Sequence, residues 1–427
     1  MSDLDTADEL NTDQATEIQP KPVYDWPLTV RLRKADLQDA FPIVEPCAGK
    51  HIVFRLGRKQ VTLRAEQTAK TSSKSQSPAL VLWSEATVPL MEEATIDDGI
   101  ELEFEIETDI FTDYLCRRDL HGMTADQRTR HPDEHFAIRF DRSGTGPRTG
   151  AGSIRIRIVD ATFSIRCPGR FNGAASCIPR IVDGSTVSTR SIADALGTLQ
   201  GFTRSTKADT AAYAVTIRDK QVRFFRNGLM RTVEDPSLED LDITLGHTQA
   251  LQLGRILKHF GGTATLTVSD NDYVFVSPNH ACGVVRSGKA ILVDPMRSLS
   301  KSHDVLSIDG SELEKAISIM LDQVDSPPET LRFEVSGGPE GMLRIPLSVE
   351  GGEAEITCSI MRPGSVEAGD SPSPLRATVE TQFLRALTPI SSAHLTELSF
   401  FPKWLVITQH RESGRIHTAL ACRERRP

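Results

Sequence analysis

TQALQLGRILKHFGGTATLTVSDNDYVFVS, Thr248–Ser277, reads as a short helix followed by two alternating strands, and TQFLRALTPISSAHLTELSFFPKWLVITQ, Thr381–Gln409, reads the same way. In each, apolar residues first recur at helical spacing and then at every second position, the periods that bury one face of a helix and one face of a strand. The two stretches lie roughly 130 residues apart, an interval that indicates internal duplication of a whole folding unit.

Working outward, one order of elements can be laid down three times. The first copy places a strand at Leu28–Leu32, a helix at Lys34–Phe41, strands within His51–Arg64 and Ala79–Pro89, a strand at Ile100–Ile106, a helix at Thr108–Leu120, and closing strands at Phe136–Phe140 and Ser153–Phe163. The second places helices at Ser188–Arg204 and His247–Phe260, each followed by strands: Ala211–Ile217 and Gln221–Phe225 after the first, Thr263–Val268 and Tyr273–Val276 after the second. Leu241–Leu245 is the strand that leads into the second of these helices. The third places a helix at Ser311–Val324, strands at Leu331–Val335 and Glu353–Ile360, and a strand at Arg376–Val379 leading into a helix at Thr381–Ile390. The expected fold class is therefore α+β: three tandem units over residues 26–170, 184–290 and 303–427, each with two helices packed on antiparallel sheets. Residues 1–25 are polar and acidic and are expected to form a disordered tail. Helices on one face of the strands suggest sheets turned outward and helices inward; such repeats either close into a ring or stack into an open array.

Composition narrows the function classes. A formal charge of -9 rules out a polycation that coats nucleic acid indiscriminately, so an anion-binding surface would have to be local. Seven cysteines (Cys47, Cys116, Cys167, Cys177, Cys282, Cys358 and Cys422) lack CxxC spacing, and no apolar run reads as a membrane span or secretion signal. These features fit reduced thiols in a cytoplasmic protein. HPDEH at His131–His135 reads as an exposed loop rather than a metal site, Asp270-Asn271-Asp272 as a hairpin turn, and Ser143–Gly152 as a flexible loop without the lysine of a phosphate-binding loop. No catalytic constellation and no cofactor motif is present, so an enzyme is not expected.

Four local sequences carry a resemblance. They are RFFRNGLMRTV (Arg223–Val233), GVVRSGKA (Gly283–Ala290), the two Thr-Gln helices with their trailing strands, and ALACR (Ala419–Arg423). In this order and spacing the chain resembles the bacterial sliding clamp, the beta subunit of the replicative DNA polymerase, best over Ser188–Arg423. The resemblance implies three clamp-type domains per chain and a ring closed by a head-to-tail homodimer. It also implies a non-catalytic processivity factor that encircles duplex DNA and binds the polymerase and the clamp loader through short linear peptides. Carried over by position, the peptide pocket would comprise Gly228, Leu229, Met230 and Arg231 with Leu420, Ala421, Cys422 and Arg423. Here Leu229-Met230 replaces the family's His-Arg, Ala421 its Pro and Cys422 its final Met, so the pocket stays apolar with a different shape.

A ring that slides on DNA needs Lys and Arg for nonspecific phosphate contact. Arg190, Arg204, Arg255 and Lys258 on the middle unit's helices are the candidates. Counted with the flanking Asp325 and Glu380, the six helical segments nevertheless sum to a formal charge of -2, with Glu312, Glu314 and Asp322 on the third unit's first helix and Asp325 just past it. An alternative is thus a clamp-derived scaffold that binds partner proteins without riding on DNA.

Overall fold

The computed structural model describes residues 27–68, 80–111, 135–142, 153–159, 164–176, 183–198, 214–226, 229–236, 238, 241–286, 304–322, 329–336, 342–349, 352–362, 376–384, 395–401, 403–411 and 414–422. In the first unit, β1 (Leu28–Arg33) runs into helix α1 (Lys34–Val44), followed by β2 (His51–Leu56), β3 (Gln60–Thr68) and β4 (Leu80–Pro89). Then β5 (Ile100–Glu107) runs into α2 (Thr108–Phe111), followed by β6 (His135–Arg142), β7 (Ser153–Val159) and β8 (Ser164–Ser176). The second unit repeats this order: β9 (Ser185–Ser188), α3 (Thr189–Gly197), β10 (Ala214–Arg218), β11 (Gln221–Arg226) and β12 (Leu229–Glu234), then β13 (Ile243–Gly246), α4 (His247–Leu257), β14 (Thr263–Val268), β15 (Asp272–Val276) and β16 (His280–Val285). The third comprises β17 (Asp304–Asp309), α5 (Gly310–Asp322), β18 (Thr330–Ser336), β19 (Met342–Val349) and β20 (Gly352–Arg362), then β21 (Arg376–Glu380), α6 (Thr381–Leu384), β22 (Leu395–Phe400), β23 (Trp404–Arg411) and β24 (Gly414–Ala421). The fold is the expected α+β class.

Local sequence explains these elements directly. In β5, Leu102, Phe104 and Ile106 are buried while Glu101, Glu103 and Glu105 alternate with them on the solvent side, the period-two pattern of a half-buried strand. Along α4, Ala250, Leu253, Gly254, Ile256 and Leu257 are buried at helical spacing, and Arg255 and Lys258 lie exposed on the other side. Several strands escape a reading of the sequence alone. β8 is broken in pattern by Pro168, Gly169 and a Gly173 at φ 131°, and β19 carries Pro346. The segment 112–134, which contains most of the expected Thr108–Leu120 helix, and most of Thr381–Ile390 lie outside the described residues, as do Ser143–Gly152 and the loop Pro363–Pro374.

One strand-to-helix junction in each unit carries the same bond. The backbone N–H of Thr108 donates to Lys50 O at 2.9 Å, that of Thr189 to Gly262 O at 3.0 Å, and that of Thr381 to Glu329 O at 3.0 Å. Each acceptor directly precedes the strand that pairs with the one entering the helix, so one helical N–H that lacks an intrahelical partner is satisfied alike in all three units. These junctions also correct the Thr-Gln alignment. Gly246 pairs with Ala214 and Glu380 with Thr330 at the ends of β13 and β21, which makes Thr381 equivalent to His247, not to Thr248. The matching dipeptides are one position out of step, and the repeat rests on topology.

The units are stitched into two twelve-stranded sheets, ordered β1-β6-β7-β8-β5-β2-β3-β4-β16-β15-β14-β9 and β13-β10-β11-β12-β24-β23-β22-β17-β20-β19-β18-β21. Two pairings cross from unit to unit: β4 with β16 joins the first to the second, and β12 with β24 joins the second to the third. The first seam is reinforced by Gln249 at the start of α4. Its side chain accepts the Gly246 N–H at 2.8 Å and donates to the carbonyls of Val81 and Val285, both at 3.4 Å, at one end of the seam. Gln252 also donates to Pro46 O in the first unit at 3.1 Å.

Close approach at this seam explains a glycine. Gly283 stands opposite Trp83 in register, and a Cβ there would overlap the indole Nε1, Cε2 and Cζ2. Arg64 stacks over the same ring with its guanidinium carbon 4.9 Å from the centroid, and bonds Glu85 beside it, so the indole has little room to retreat. Gly283→Val is therefore expected to destabilise the protein by about 1–3 kcal/mol through overpacking. Urea titration, with Trp fluorescence followed beside far-UV circular dichroism, checks this; an unchanged midpoint would contradict it.

Candidate functional site

The seam between the second and third units holds most of the residues expected to form a peptide pocket. Every residue of β12 from Leu229 to Val233 is buried, because the strand is flanked by β11 and β24 and covered on both faces. The tight connection that enters it was legible: Arg226 pairs with Leu229, which leaves room for the two-residue turn that Asn227-Gly228 favours, although those two residues lie outside the described set.

Strand alternation then divides the expected residues between two faces. Leu229 stands opposite Leu420, and both join the main core. Arg231 lies on this same inner face at 2% exposure and donates from Nη1 to Thr198 O at 2.7 Å, which satisfies a carbonyl at the C-terminus of α3. Met230 lies on the opposite face against Ala419, and with Val406 these two form a small cluster separate from the main core. Partly buried Phe401 and Trp404 pack against it, and the Phe401 N–H donates to Trp404 O at 2.9 Å. Ala421 stands opposite Trp404 on the same face.

The outer-face patch is thus Met230, Val406, Ala419, Ala421, Phe401 and Trp404, while Leu229, Arg231 and Leu420 support it from beneath. Phe401, Trp404 and Val406 were not singled out from the sequence. Their signal was the alternation of Trp404 and Val406 on β23, which acquires meaning only once β23 is placed beside β24. Cys422 forms a bridge to Val379 in β21, and its N–H donates to Lys403 O at 2.8 Å. Burial pushes its thiol up to about 11, so it is a packing group and not a reactive thiolate. Gly228 and Arg423 lie outside the described residues.

Polar groups fix the far end of the seam. Gly414 starts β24 at φ 146°, and a Cβ there would collide with the Glu234 carbonyl, so the strand can enter the seam only with glycine at this point. Close by, His417 bonds Thr408 Oγ1 through Nδ1 at 3.0 Å and faces Glu234 across the seam at 3.6 Å.

The middle unit's helices carry the candidate phosphate contacts. Arg255 and Lys258 are exposed at the C-terminal end of α4, and Arg190 is exposed on α3, where its guanidinium lies 3.9 Å from Asp194 one turn on. Close packing of the two helices, with Gly254 against Leu196, brings these side chains onto one helical layer. His259 follows Lys258, and burial, then the neighbouring ammonium, lowers its pKa. Arg204 lies outside the described residues. Among the acids expected to oppose DNA, Glu312 accepts the backbone N–H of Ser359 on β20 at 2.9 Å, which ties that carboxylate to a sheet edge. Among the described residues no group of His, Cys, Asp and Glu could hold a metal ion, and no helix is long and apolar enough to cross a membrane. Asp270-Asn271-Asp272 lies in the β14–β15 turn, where Ser269 Oγ accepts the N–H groups of Asn271 and Asp272.

Solved structures with this arrangement agree on one architecture. The DNA polymerase III beta subunit of Thermotoga maritima superposes with a TM-score of 0.65 at 13% identity, covering 93% of this chain and 100% of that one. The fold is that of the sliding clamps. A sliding clamp from Pseudomonas aeruginosa bound to griselimycin superposes with a TM-score of 0.64 at 9% identity, and one from Caulobacter crescentus with 0.64 at 13%, each covering 93% of this chain and 100% of the other. No family model matches the sequence, and no curated protein matches it. At such identity, apolar alternation and strand order are what the sliding-clamp fold shares with this chain.

His417 gives the seam a pH dependence with a definite sign. Burial, the largest influence, lowers its pKa below the ordinary 6.5 despite the nearby Glu234, so the imidazole is neutral in the fold. The unfolded chain takes up this proton first, hence the stability His417 contributes is present above pH 6.5 and is lost as pH falls toward the folded value. His417→Gln should flatten the decline in melting temperature between about pH 6.5 and 5; equal slopes for the two proteins would assign the effect elsewhere.

Proposed function

We propose that this chain is a divergent sliding clamp: a non-catalytic ring of two copies that encircles duplex DNA, contacts phosphates through Arg190, Arg255 and Lys258, and recruits a polymerase and its loader by short peptides. The observation that carries this reading is an accounting of strand edges. The first and second units each lend an edge to the next seam, β4 to β16 and β12 to β24. In the same topological positions, β20 of the third unit and β8 of the first remain. Among the described residues, Gly352–Cys358 of β20 pairs with β19 alone, and Ser164–Pro168 of β8 pairs with β7 alone. One chain therefore ends in two unlike, complementary edges, and head-to-tail joining of two copies gives six units and no free seam. Similarity in fold to sliding clamps supports the same reading.

The peptide would dock on the outer face around Met230, Ala419 and Ala421, beside the partly buried rings of Phe401 and Trp404. Met230, Val406 and Ala419 are buried, and the partly exposed Ala421, Phe401 and Trp404 above them offer the apolar surface on which a short segment with one or two apolar anchors would dock. One observation favours a second reading, a clamp-derived scaffold that does not ride on DNA: Arg190 is partly neutralised by Asp194 on its own helix, and the third unit's helix α5 carries the acids Glu312 and Glu314.

Two measurements test these statements. On nicked circular DNA with a clamp loader and ATP, the protein is expected to be retained and to be released when the circle is cut; no dependence on topology, with peptide binding intact, would favour the scaffold. Met230→Glu should weaken binding of a clamp-binding peptide by roughly tenfold or more, because a carboxylate buried at this position displaces the Phe401 and Trp404 rings packed over it. Unchanged affinity by fluorescence polarisation would move the docking site away from this face.

A further inference from the structure

The two internal seams share one register, and that register extends to a seam that a single chain cannot form. On the side of β4, β12 and β20, the strand-to-helix junctions align Glu107 opposite His51, Gly246 opposite Ala214 and Glu380 opposite Thr330. Four residues into the paired strand, Arg55 stands opposite Thr62, Arg218 opposite Gln221 and Glu334 opposite Arg344. Those partners in turn face Thr87, Glu234 and Thr357. Four residues back along each strand, Trp83, Met230 and Glu353 occupy one equivalent position.

On the side of β16, β24 and β8 the same correspondence holds. Junction pairs Ser188 with Thr263, Asp309 with Leu395 and Arg33 with His135 lead through Val276, Thr408 and Val159 to Ala281, His417 and Ser164. Two residues on, Gly283, Ala419 and Arg166 are equivalent. The first internal seam pairs Trp83 with Gly283 and the second pairs Met230 with Ala419, so the two seams coincide.

We infer that copies of this chain join in that same register, which sets Glu353 of one copy opposite Arg166 of the next. This rests on the reading of the chain as a ring of two copies and adds the residue pair that fixes how they meet. Flanking positions agree: Gly352 falls opposite Cys167, Ala354 opposite Ile165 and Glu355 opposite Ser164, so small and apolar residues meet on one face of the new ladder and polar residues on the other.

A separate observation points to an acidic partner. Arg139, Arg157 and Arg166 stand directly opposite one another across β6, β7 and β8. Like charges opposite each other in a sheet are destabilising, and the Arg157 Nε is buried with no hydrogen-bond partner among the described residues. Asp141 bonds Arg139 at 2.8 Å at one end of the row. At the other end, the partner's β20 brings two acids, Glu353 and Glu355. Glu355 is exposed and 3.5 Å from Arg344 in the free chain. Seams within a chain are tethered and carry apolar pairs at this position, whereas the seam between chains is exposed before assembly and carries charge, which keeps the free edges soluble and selects the partner edge.

Sedimentation equilibrium of the full-length chain tests this. Arg166→Glu and Glu353→Arg should each weaken dimerisation by roughly tenfold or more, and the double variant, which restores opposite charges in both seams of the ring, should recover most of the loss. A dimeric parent whose single variants dimerise normally, or whose double variant is no better than the singles, overturns the register while leaving the ring reading standing. A monomeric parent at micromolar concentration overturns both. Should a charge reversal impair folding, oxidative cross-linking decides the register: Glu353→Cys with Arg166→Cys is expected to give covalent dimers on a non-reducing gel, and Ala354→Cys with Arg166→Cys, one residue out of step, is not. Equal cross-linking of the two pairs would also overturn the proposal.

Discussion

Antiparallel hydrogen bonding between strands of different units is the constraint on which the rest of this structure depends. Each unit alone would present unsatisfied backbone N–H and C=O groups along β4, β12, β16 and β24, and open edges of that kind invite unwanted pairing. Joining β4 to β16 and β12 to β24 satisfies these groups and turns three small folding units into two continuous sheets. Side chains then specialise around the ladder. Gln249 closes one end of the first seam, Gly283 admits Trp83 across it, and Gly414 lets β24 enter the second.

The candidate groove is a by-product of the second seam. Because successive residues of a strand face opposite sides, Leu229 and Arg231 are committed to the helix layer as soon as Met230 is committed to the outside. Arg231 is used up in holding the end of α3, and Leu229 and Leu420 belong to the core. What remains outside is a row of small and apolar residues on β24 between Met230 and the rings of Phe401 and Trp404. The contiguous stretches of sequence expected to form one pocket therefore divide between two faces of the sheet, with Met230 and Ala419 on one and Leu229, Arg231 and Leu420 on the other.

Electrostatics separate this chain's surfaces in a similar way. Opposite charges are interleaved on the solvent face of the first unit, where Arg55, Arg64, Glu85 and Glu103 bond across β2, β3, β4 and β5. The Arg55–Glu103 pair is partly exposed and screened, so it holds register more than it adds stability, whereas Glu85 is buried between Arg55 and Arg64. On β6, β7 and β8 the interleaving stops and arginines accumulate toward an open edge. On the proposed head-to-tail reading, this row of arginines is the part of the sheet that meets a second copy.

Alternation in β5 and β14, helical spacing in α4, and the two-residue turn before β12 are local properties, encoded by which residues are apolar and where glycine and asparagine stand, so the α+β class and the threefold order were legible in the sequence. Strands such as β8 and β19 were not, because proline and glycine interrupt their pattern and long-range pairing overrides it. Nor could the sequence register the repeat correctly: Thr-Gln recurs at Thr248 and Thr381, yet strand pairing makes Thr381 the counterpart of His247. Which faces meet, that Trp404 and Val406 border Met230, and that Glu353 and Arg166 occupy strand positions equivalent to those of Met230 and Ala419 were decided by tertiary structure alone. The physical reason is that a hydrogen-bonded ladder fixes opposite residues by geometry, whatever their side chains, and so carries information that a chain read from end to end does not contain.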